Sequence, residues 1–258
     1  MILLEARDLT MQFGGLTAVN QFSLSLDDNT IVGLIGPNGA GKTTVFNCLT
    51  GMYVPTSGEI HVGGKRVDGL KPYQITQLGM ARTFQNIRLF KELTVFDNIR
   101  IAFHYQVRYG IASAVLRLKG FGREEQEITN RTLELLEIFG LYEHRDEIAS
   151  SLPYGEQRRL EIARALAANP KILLLDEPAA GMNPNETQEL TQLIKWVRDE
   201  FKLTIFLIEH DMRLVMGLCE RILVLDYGIT IAEGTPNEIQ NNPAVVEAYL
   251  GEEALAGC

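Results

Sequence analysis

Several features that would place this 258-residue chain quickly are scarce in it. Its three cysteines are far apart and form no CxxC or Cys/His spacing, so the sequence indicates neither a zinc centre nor a redox pair. Its longest apolar runs, such as residues 203–208, fall far short of the ~18–20 residues that cross a bilayer. The four apolar residues Met1-Ile2-Leu3-Leu4 are followed directly by Glu5 and then Arg7, and we expect no signal peptide. Any role at a membrane is therefore expected to be peripheral.

Positive charge is also in short supply. The chain has 24 basic and 33 acidic residues, a net charge of −9. Broad binding to nucleic acid needs clustered lysine and arginine, so we expect no nucleic-acid partner. Hydrophobic residues make up 46% and charged residues 22%, the proportions of a soluble globular domain.

What the chain does have is a glycine-rich loop, Gly36-Pro37-Asn38-Gly39-Ala40-Gly41-Lys42-Thr43-Thr44. It fits the pattern G-x-x-x-x-G-K-[ST] and lies between a predicted buried strand, 31–35, and a predicted helix, 42–49. In such a loop the backbone N–H groups and the helix N-terminus surround phosphate oxygens. We expect Lys42 to hold the β- and γ-phosphates of a nucleotide and the Thr43 hydroxyl to ligate Mg²⁺.

Two further strands are predicted to end in polar side chains. The apolar run 172–175 ends in Asp176 and Glu177, at the strand edge where α/β sheets bind ligands. Asp176 fits the Mg²⁺ side, through water, and Glu177 fits the base that activates a water. His210 follows the run 203–208 and could reach a γ-phosphate. Polar residues often follow a buried strand simply because the chain reaches solvent there. Only together with the glycine-rich loop do these residues indicate a site.

The rest of the chain divides by its periodicity. Apolar residues predict strands at 3–9 and 21–26, the second with an alternating pattern, and hairpins at 59–67 and 221–233. Strands and helices alternate over 172–218, which indicates a parallel sheet. Residues 93–169 are mainly helical in pattern, with an insertion around 101–123. Within them the segment 152–157 begins a helix, and is either a simple helix start or an anion site.

Together these motifs resemble the nucleotide-binding domain of ATP-binding cassette (ABC) transporters, in order and spacing, over about residues 4–252. The resemblance adds a Q-loop at Gln85, the signature at 152–157 and a D-loop at 180–183. It implies an α/β fold of the P-loop NTPase, ABC ATPase type: a RecA-like mixed sheet core with an antiparallel β subdomain and an inserted α-helical subdomain. The implied bounds are 1–92 and 170–235 for the core with the β subdomain, 93–169 for the helical subdomain and 236–258 for a helical tail.

The resemblance also implies roles and partners. ATP and Mg²⁺ would be bound, with Phe13 stacked on adenine and Gln85 touching Mg²⁺ or the water and sensing a transmembrane partner. A second ABC ATPase subunit would pair head-to-tail, as homo- or heterodimer, so that Gly155 contacts the partner's nucleotide. Two permease subunits, and indirectly an extracytoplasmic solute-binding protein, would complete a transporter at the cytoplasmic face of the cell membrane.

Three positions depart from the family pattern, two in the usual signature Leu-Ser-Gly-Gly-Gln and one in the D-loop. Pro153 and Tyr154 replace the serine and the first glycine, and Asn183 replaces an aspartate. Proline offers neither the hydroxyl nor an N–H. Glu177 and His210 are nevertheless present, which opposes a regulator that binds ATP without hydrolysing it.

Within the family the chain is most similar to the ATPase subunits of branched-chain amino-acid transporters, and to the larger of the two in that system. The resemblance rests on residues 13–19, 81–86, 154–164, 177–184, 231–236 and 249–252. It implies uptake of leucine, isoleucine and valine. The alternatives are an importer of urea or amides, an exporter of lipopolysaccharide or lipid, and, less in keeping with a single acidic cassette, a soluble ATPase acting on ribosomes or nucleic acid.

Overall fold

The computed structural model describes residues 1–103 and 119–256. They form two compact units, unit 1 with Met1–Gln85 and Lys171–Cys258, and unit 2 with Asn86–Pro170. Most of the insertion predicted around 101–123 lies outside the described residues. None of the helices in the described ranges is both long and apolar enough to cross a membrane.

The strands, in chain order, are β1 (Ile2–Phe13), β2 (Leu16–Asp27), β3 (Ile31–Ile35), β4 (Ser57–Val62), β5 (Lys65–Arg66), β6 (Met80–Arg82), β7 (Ile172–Asp176), β8 (Thr204–Ile208), β9 (Arg221–Asp226) and β10 (Ile229–Gly234). The helices are α1 (Lys42–Leu49), α2 (Pro72–Gln77), α3 (Val95–Phe103), α4 (Lys119–Ile138), α5 (Tyr154–Ala167), α6 (Pro184–Phe201), α7 (Met212–Leu218), α8 (Pro236–Gln240) and α9 (Pro243–Ala256). Of these, α2, β6 and α3 were not predicted as separate elements.

Unit 1 contains two sheets. One is antiparallel in the order β2-β1-β4-β5. Its strand β2 follows the predicted alternation, since Phe22, Leu24 and Leu26 are buried while Ser23 is exposed. The strands β1 and β2 are longer than predicted, because sheet pairing continues through polar residues that carry little strand signal of their own.

The second sheet has the order β10-β9-β3-β8-β7-β6. All neighbours pair in parallel except the terminal hairpin of β9 and β10. Strands β3, β7 and β8 are buried at every position, as expected for parallel strands covered on both faces. The mixed sheet beside an antiparallel one confirms the predicted fold class.

Two cysteines lie in the core of unit 1. Burial raises the pKa of the Cys48 thiol to about 11 and that of Cys219 to about 12. Both are buried and free of disulfides, so they act as small apolar residues that stay protonated at neutral pH. Cys258 lies outside the described residues.

Unit 2 is built from α3, α4 and α5. Helix α4 buries Ile128, Leu135 and Leu136, apolar residues at helical spacing. Its interior also holds an ion pair, with Arg158 Nη1 2.7 Å from Glu161 Oε2 and both side chains almost inaccessible to solvent. The carboxylate of Glu161 additionally accepts the backbone N–H of Arg88 at 3.1 Å. A charged pair thus holds the start of unit 2 on its helix α5.

Candidate active site

The glycine-rich loop joins β3 to α1 and closes around a lysine. The Lys42 ammonium is buried and donates to the carbonyl oxygens of Gly36 at 2.6 Å and of Pro37 at 2.8 Å. Helix α1 begins directly after Gly41 and has no acidic residue in its first turn. The positive end of a helix and a cation are therefore placed at one loop, an arrangement that favours an anion.

Three glycines of the loop have positive φ, but they do so under different constraints. A Cβ at Gly36 would lie 1.9 Å from the Leu225 carbonyl oxygen, and one at Gly41 would lie 2.4 Å from that of Ala18. Gly39, at φ +78°, has open space instead. The base of the loop is thus pressed against β9 and β2, while its tip is left open.

Asp176, the last residue of β7, is held by an arginine that the sequence did not single out. Arg82 Nη2 lies 2.6 Å from Asp176 Oδ2, and both side chains are nearly buried. The same guanidinium donates to the side-chain oxygens of Asn47 at 2.8 Å and Thr50 at 3.1 Å, both in or next to α1. Arg82 therefore ties the carboxylate to the helix that follows the phosphate loop.

Next to Asp176, the predicted catalytic residues come together. Gln85 Nε2 donates to Glu177 Oε2 at 2.8 Å, and His210 Nδ1 lies 3.7 Å from the same oxygen. Glu177 has a φ of +46°, a left-handed conformation that costs a non-glycine residue about 1–3 kcal/mol. Strained backbone of this kind is concentrated at functional sites.

Phe13 lies elsewhere on unit 1, at the end of β1. Its ring is 43% exposed and meets the Tyr53 ring edge-to-face, with centroids 5.3 Å apart. An exposed aromatic pair offers a flat apolar surface to which a nucleobase can stack. Tyr53 was not among the predicted site residues.

Gly155 belongs to unit 2, in the first turn of α5. The helix begins after Pro153, which provides no side-chain cap, and Tyr154 is 44% exposed. The first amides of a helix have no partner within it, so this turn presents backbone N–H groups. The amide group of Gln157 folds back on the turn, its Nε2 donating to the Leu152 carbonyl oxygen at 2.8 Å.

The unusual Asn183 has a clear local role in unit 1. It caps α6, accepting from the backbone N–H groups of Asn185 and Glu186 at 3.0 and 3.1 Å, and Glu186 completes a capping box. Asparagine and aspartate are about equally good helix caps, so the substitution preserves the end of the D-loop.

The residues present fit a nucleotide with Mg²⁺. The open, glycine-lined tip at Gly39 leaves room for phosphate oxygens at a cationic helix start. Thr43, Gln85 and Asp176 offer the oxygen atoms that Mg²⁺ prefers. Within the described part of the chain, no group of three or more His, Cys, Asp or Glu residues could hold a metal ion. Mg²⁺ needs only one or two protein carboxylates when phosphates supply other ligands.

Comparison with known proteins decides the family. The family model described as ABC transporter matches residues 19–180, more than half of the chain. The chain belongs to the ABC transporter family. A second model, described as branched-chain amino acid ATP-binding cassette transporter, matches residues 230–254.

Curated relatives extend over nearly the full length of this cassette. It is 54% identical to the high-affinity branched-chain amino acid transport ATP-binding protein LivG of Salmonella typhimurium, over 97% of this chain and 98% of the relative. It is 48% identical to BraF of Pseudomonas aeruginosa, which has the same description, with the same coverage. The lipopolysaccharide export ATP-binding protein LptB of Escherichia coli is 36% identical over 98% of this chain and 99% of that one.

Solved structures agree with the fold. The ADP conformation of MJ1267, an ATP-binding cassette of an ABC transporter, superposes with a TM-score of 0.84 at 28% identity, covering 97% of this cassette and 99% of that chain. A dimeric structure of the bacterial cassette MJ0796 has a TM-score of 0.77 at 25% identity, with coverage of 91% and 99%.

Sequence reasoning missed three residues of this site: Arg82, Tyr53 and Glu209. Glu209 is fully buried next to His210. A signal was available for two of them, because Arg82 lies three residues before Gln85 and Glu209 directly before His210. No pattern indicated their partners. Arg82 bonds Asp176, 94 residues away in the chain, and Glu209 accepts from Ala179, 30 residues away.

Proposed function

We propose that this cassette is the ATP-binding, ATP-hydrolysing subunit of an importer for branched-chain amino acids. The hydrogen bond between Gln85 and Glu177, with His210 3.7 Å away, carries the hydrolytic part. The amino-acid part is supported by 54% identity to LivG and by the match of residues 230–254 to the branched-chain family model. The test is Mg²⁺-dependent ATPase activity of the purified chain, alone and with its partner subunits.

In this proposal the phosphate loop binds and orients ATP. Lys42 exchanges its two carbonyl contacts for the β- and γ-phosphates, and the amides from Gly39 to Thr44 donate to phosphate oxygens. Thr43, Gln85 and Asp176 are the residues that would hold Mg²⁺, Asp176 through water. Bound Mg²⁺ would neutralise negative charge on the β- and γ-phosphate oxygens. Phe13 stacks on the adenine.

Glu177 acts as the base in the same scheme. Its carboxylate accepts a proton from the attacking water at an Oε atom, while Gln85 donates to Oε2 and limits the orientations of the carboxylate. The side chain of His210 is exposed and reaches the γ-phosphate. Arg82 holds Asp176 at the sheet edge, next to the carboxylate of Glu177.

A second cassette would complete the site. The turn at Gly155 offers backbone donors but has Glu156, an acidic residue, in its first turn, so it suits a supplementary role better than the sole binding of a triphosphate. We infer a head-to-tail pair in which Gly155 contacts the partner's ATP.

Mixing two inactive variants tests this pairing. Lys42→Ala disables the phosphate loop and Gly155→Trp blocks the signature turn, and each alone should be inactive. A mixed dimer then contains one site with both parts intact, so activity should return on mixing. Mixed dimers that are isolated and remain inactive would contradict the head-to-tail arrangement.

The solute is chosen by other subunits in this proposal: two permeases and a solute-binding protein, with the cassette at the cytoplasmic face of the membrane. Reconstitution with the permeases encoded beside its gene tests the substrate. We expect ATP-dependent uptake of leucine, isoleucine and valine. Uptake of urea or amides, or co-purification with lipopolysaccharide-export partners instead of permeases for amino acids, would replace the assignment while leaving the ATPase intact.

A further inference from the structure

One buried carboxylate of unit 1 has no role in the scheme above. Glu209 follows β8 directly, and its side chain is 0% exposed. The exposed imidazole of His210 lies beside it, with Nδ1 3.8 Å from Oε2. Burial raises the pKa of Glu209, and backbone N–H groups that favour the ionised form oppose this shift. A charged side chain is rarely kept in such a place without a specific arrangement of donors.

The donors come from two different loops. Oε1 accepts the N–H of Ala179 at 2.8 Å, in the loop after β7. Oε2 accepts the N–H groups of His210 at 3.0 Å and Asp211 at 3.3 Å, in the loop after β8. The two oxygens of one carboxylate thus connect the loop of Glu177 to the loop of His210.

The loop after β7 is itself internally bonded, so that a displacement at Ala179 affects its neighbours. Ala180 N–H donates to the Glu177 carbonyl oxygen at 3.1 Å, and Met182 N–H donates to that of Ala179 at 3.0 Å. This segment then ends at the cap residue Asn183. Separation of the two loops would leave either the carboxylate or an amide buried without a partner, which is costly.

We propose that Glu209 is a positioning residue that couples His210 to the segment 177–183, so that a movement of the histidine loop displaces the D-loop with it. The proposal rests on the proposed function, in which His210 contacts the γ-phosphate. Binding of ATP would then be communicated from the histidine loop to the segment that carries Glu177 and ends at the cap of α6.

Glu209→Gln tests the coupling, since it keeps the shape of the side chain but replaces one acceptor oxygen by an NH₂ group that faces a backbone N–H. We expect kcat for ATP hydrolysis to fall about tenfold or more, with KM for ATP changed by less than about twofold because the phosphate loop is untouched. Glu233→Gln, an exposed glutamate on β10, is the matched control and should behave as wild type. An unchanged kcat in folded Glu209→Gln would overturn the proposal.

Hydrogen exchange gives a readout that does not depend on turnover. In the wild type, a non-hydrolysable ATP analogue should change the exchange of the amides of His210 and Ala179 together. In Glu209→Gln the analogue should change that of His210 alone. A response of Ala179 that is the same in both proteins would refute coupling through the carboxylate, whether or not the chain hydrolyses ATP.

Glu209→Asp is the second variant, in case the glutamine variant does not fold. It keeps the charge and both oxygens but is one methylene shorter, so we expect it to retain the amides of its own loop and to lose Ala179. It should therefore show the same uncoupled exchange and the same loss of kcat. Full retention of the Ala179 response in this variant would equally overturn the proposal.

Discussion

The two units each begin a helix with a glycine-containing turn, but only the turn of unit 1 is built around a cation. At α1 the loop surrounds the buried ammonium of Lys42, and its glycines at 36 and 41 are pressed against neighbouring backbone. At α5 the turn begins with an uncapped Pro153 and carries Glu156 in its first turn. This difference supports the proposal that unit 1 holds the triphosphate and the catalytic residues, whereas unit 2 offers additional donors.

The units also differ in what they do with buried charge. Unit 2 uses Arg158 and Glu161 as a pair that holds its own fold together. Unit 1 places its buried charges, Lys42, Asp176 and Glu209, at the ends of strands and at loops around the candidate site. Charge in unit 2 is therefore expected to matter for stability, and charge in unit 1 for activity.

The largest expected effect tests this division at Glu177. Glu177→Gln removes the base, and turnover should fall by about 10²–10⁴-fold, the usual contribution of general acid–base catalysis. Binding of ATP should remain, because the phosphate loop is intact. The measurement is single-turnover hydrolysis beside equilibrium binding, with the exposed Glu220→Gln as control. Turnover equal to wild type would remove Glu177 from the mechanism.

The next effect concerns the ion pair of unit 2. Arg158→Ala removes the guanidinium that is bonded to the buried carboxylate of Glu161 and should lower the free energy of unfolding by about 3–5 kcal/mol. Arg66→Ala is the matched control, because Arg66 also pairs with carboxylates but is 56% exposed, and it should cost under about 1 kcal/mol. Denaturant unfolding measures both. Equal costs would contradict the distinction between buried and surface charge.

Phe13→Ala should have a smaller effect, confined to the base. Loss of stacking on one nucleobase typically costs about 1–3 kcal/mol, so the affinity for ATP should fall about 5- to 150-fold. The affinity for inorganic triphosphate, which has no base, should not change. If both ligands lose affinity alike, Phe13 acts by supporting the fold and not by contacting adenine.

The smallest effect is expected at the tip of the phosphate loop, and the base of the loop provides the contrast. Gly39→Ala meets no atom within 4 Å and only the disfavoured φ of +78°, so stability should fall by about 1–2 kcal/mol. Gly36→Ala would place a Cβ 1.9 Å from the Leu225 carbonyl oxygen and should abolish ATP binding or folding. A well-folded, ATP-binding Gly36→Ala protein would show that the base of the loop is less constrained than the geometry indicates.

Much of the fold could be predicted because its signals are local. The predicted strand 31–35 and the predicted helices 42–49 and 212–218 match β3, α1 and α7 at both ends. Their patterns are strong, since the strand is apolar throughout and α1 follows a glycine loop. The short α2 and β6 were missed because elements of six and three residues carry too little periodicity to stand out.

The sequence predicted which residues belong to the candidate site better than it predicted the contacts between them. The phosphate loop, Asp176, Glu177 and His210 are recognisable from residue type and position after a strand. That Arg82 pairs with Asp176, 94 residues away, and that Gln85 bonds Glu177, 92 residues away, depends on which strands lie next to one another in the sheet. Strand order is set by long-range packing and is not written in any local pattern.

The sequence by itself determined which residues have the chemistry to hold phosphate and to activate water, because a lysine, a carboxylate or a glycine has its properties wherever it lies. Only the tertiary structure decided which of them act together. It placed an acidic residue, Glu156, in the helical turn that contains Gly155. It also buried Glu209 between two loops and placed Arg82 on Asp176. Those contacts join distant segments, and their energies exist only once the chain has folded and excluded water from around them.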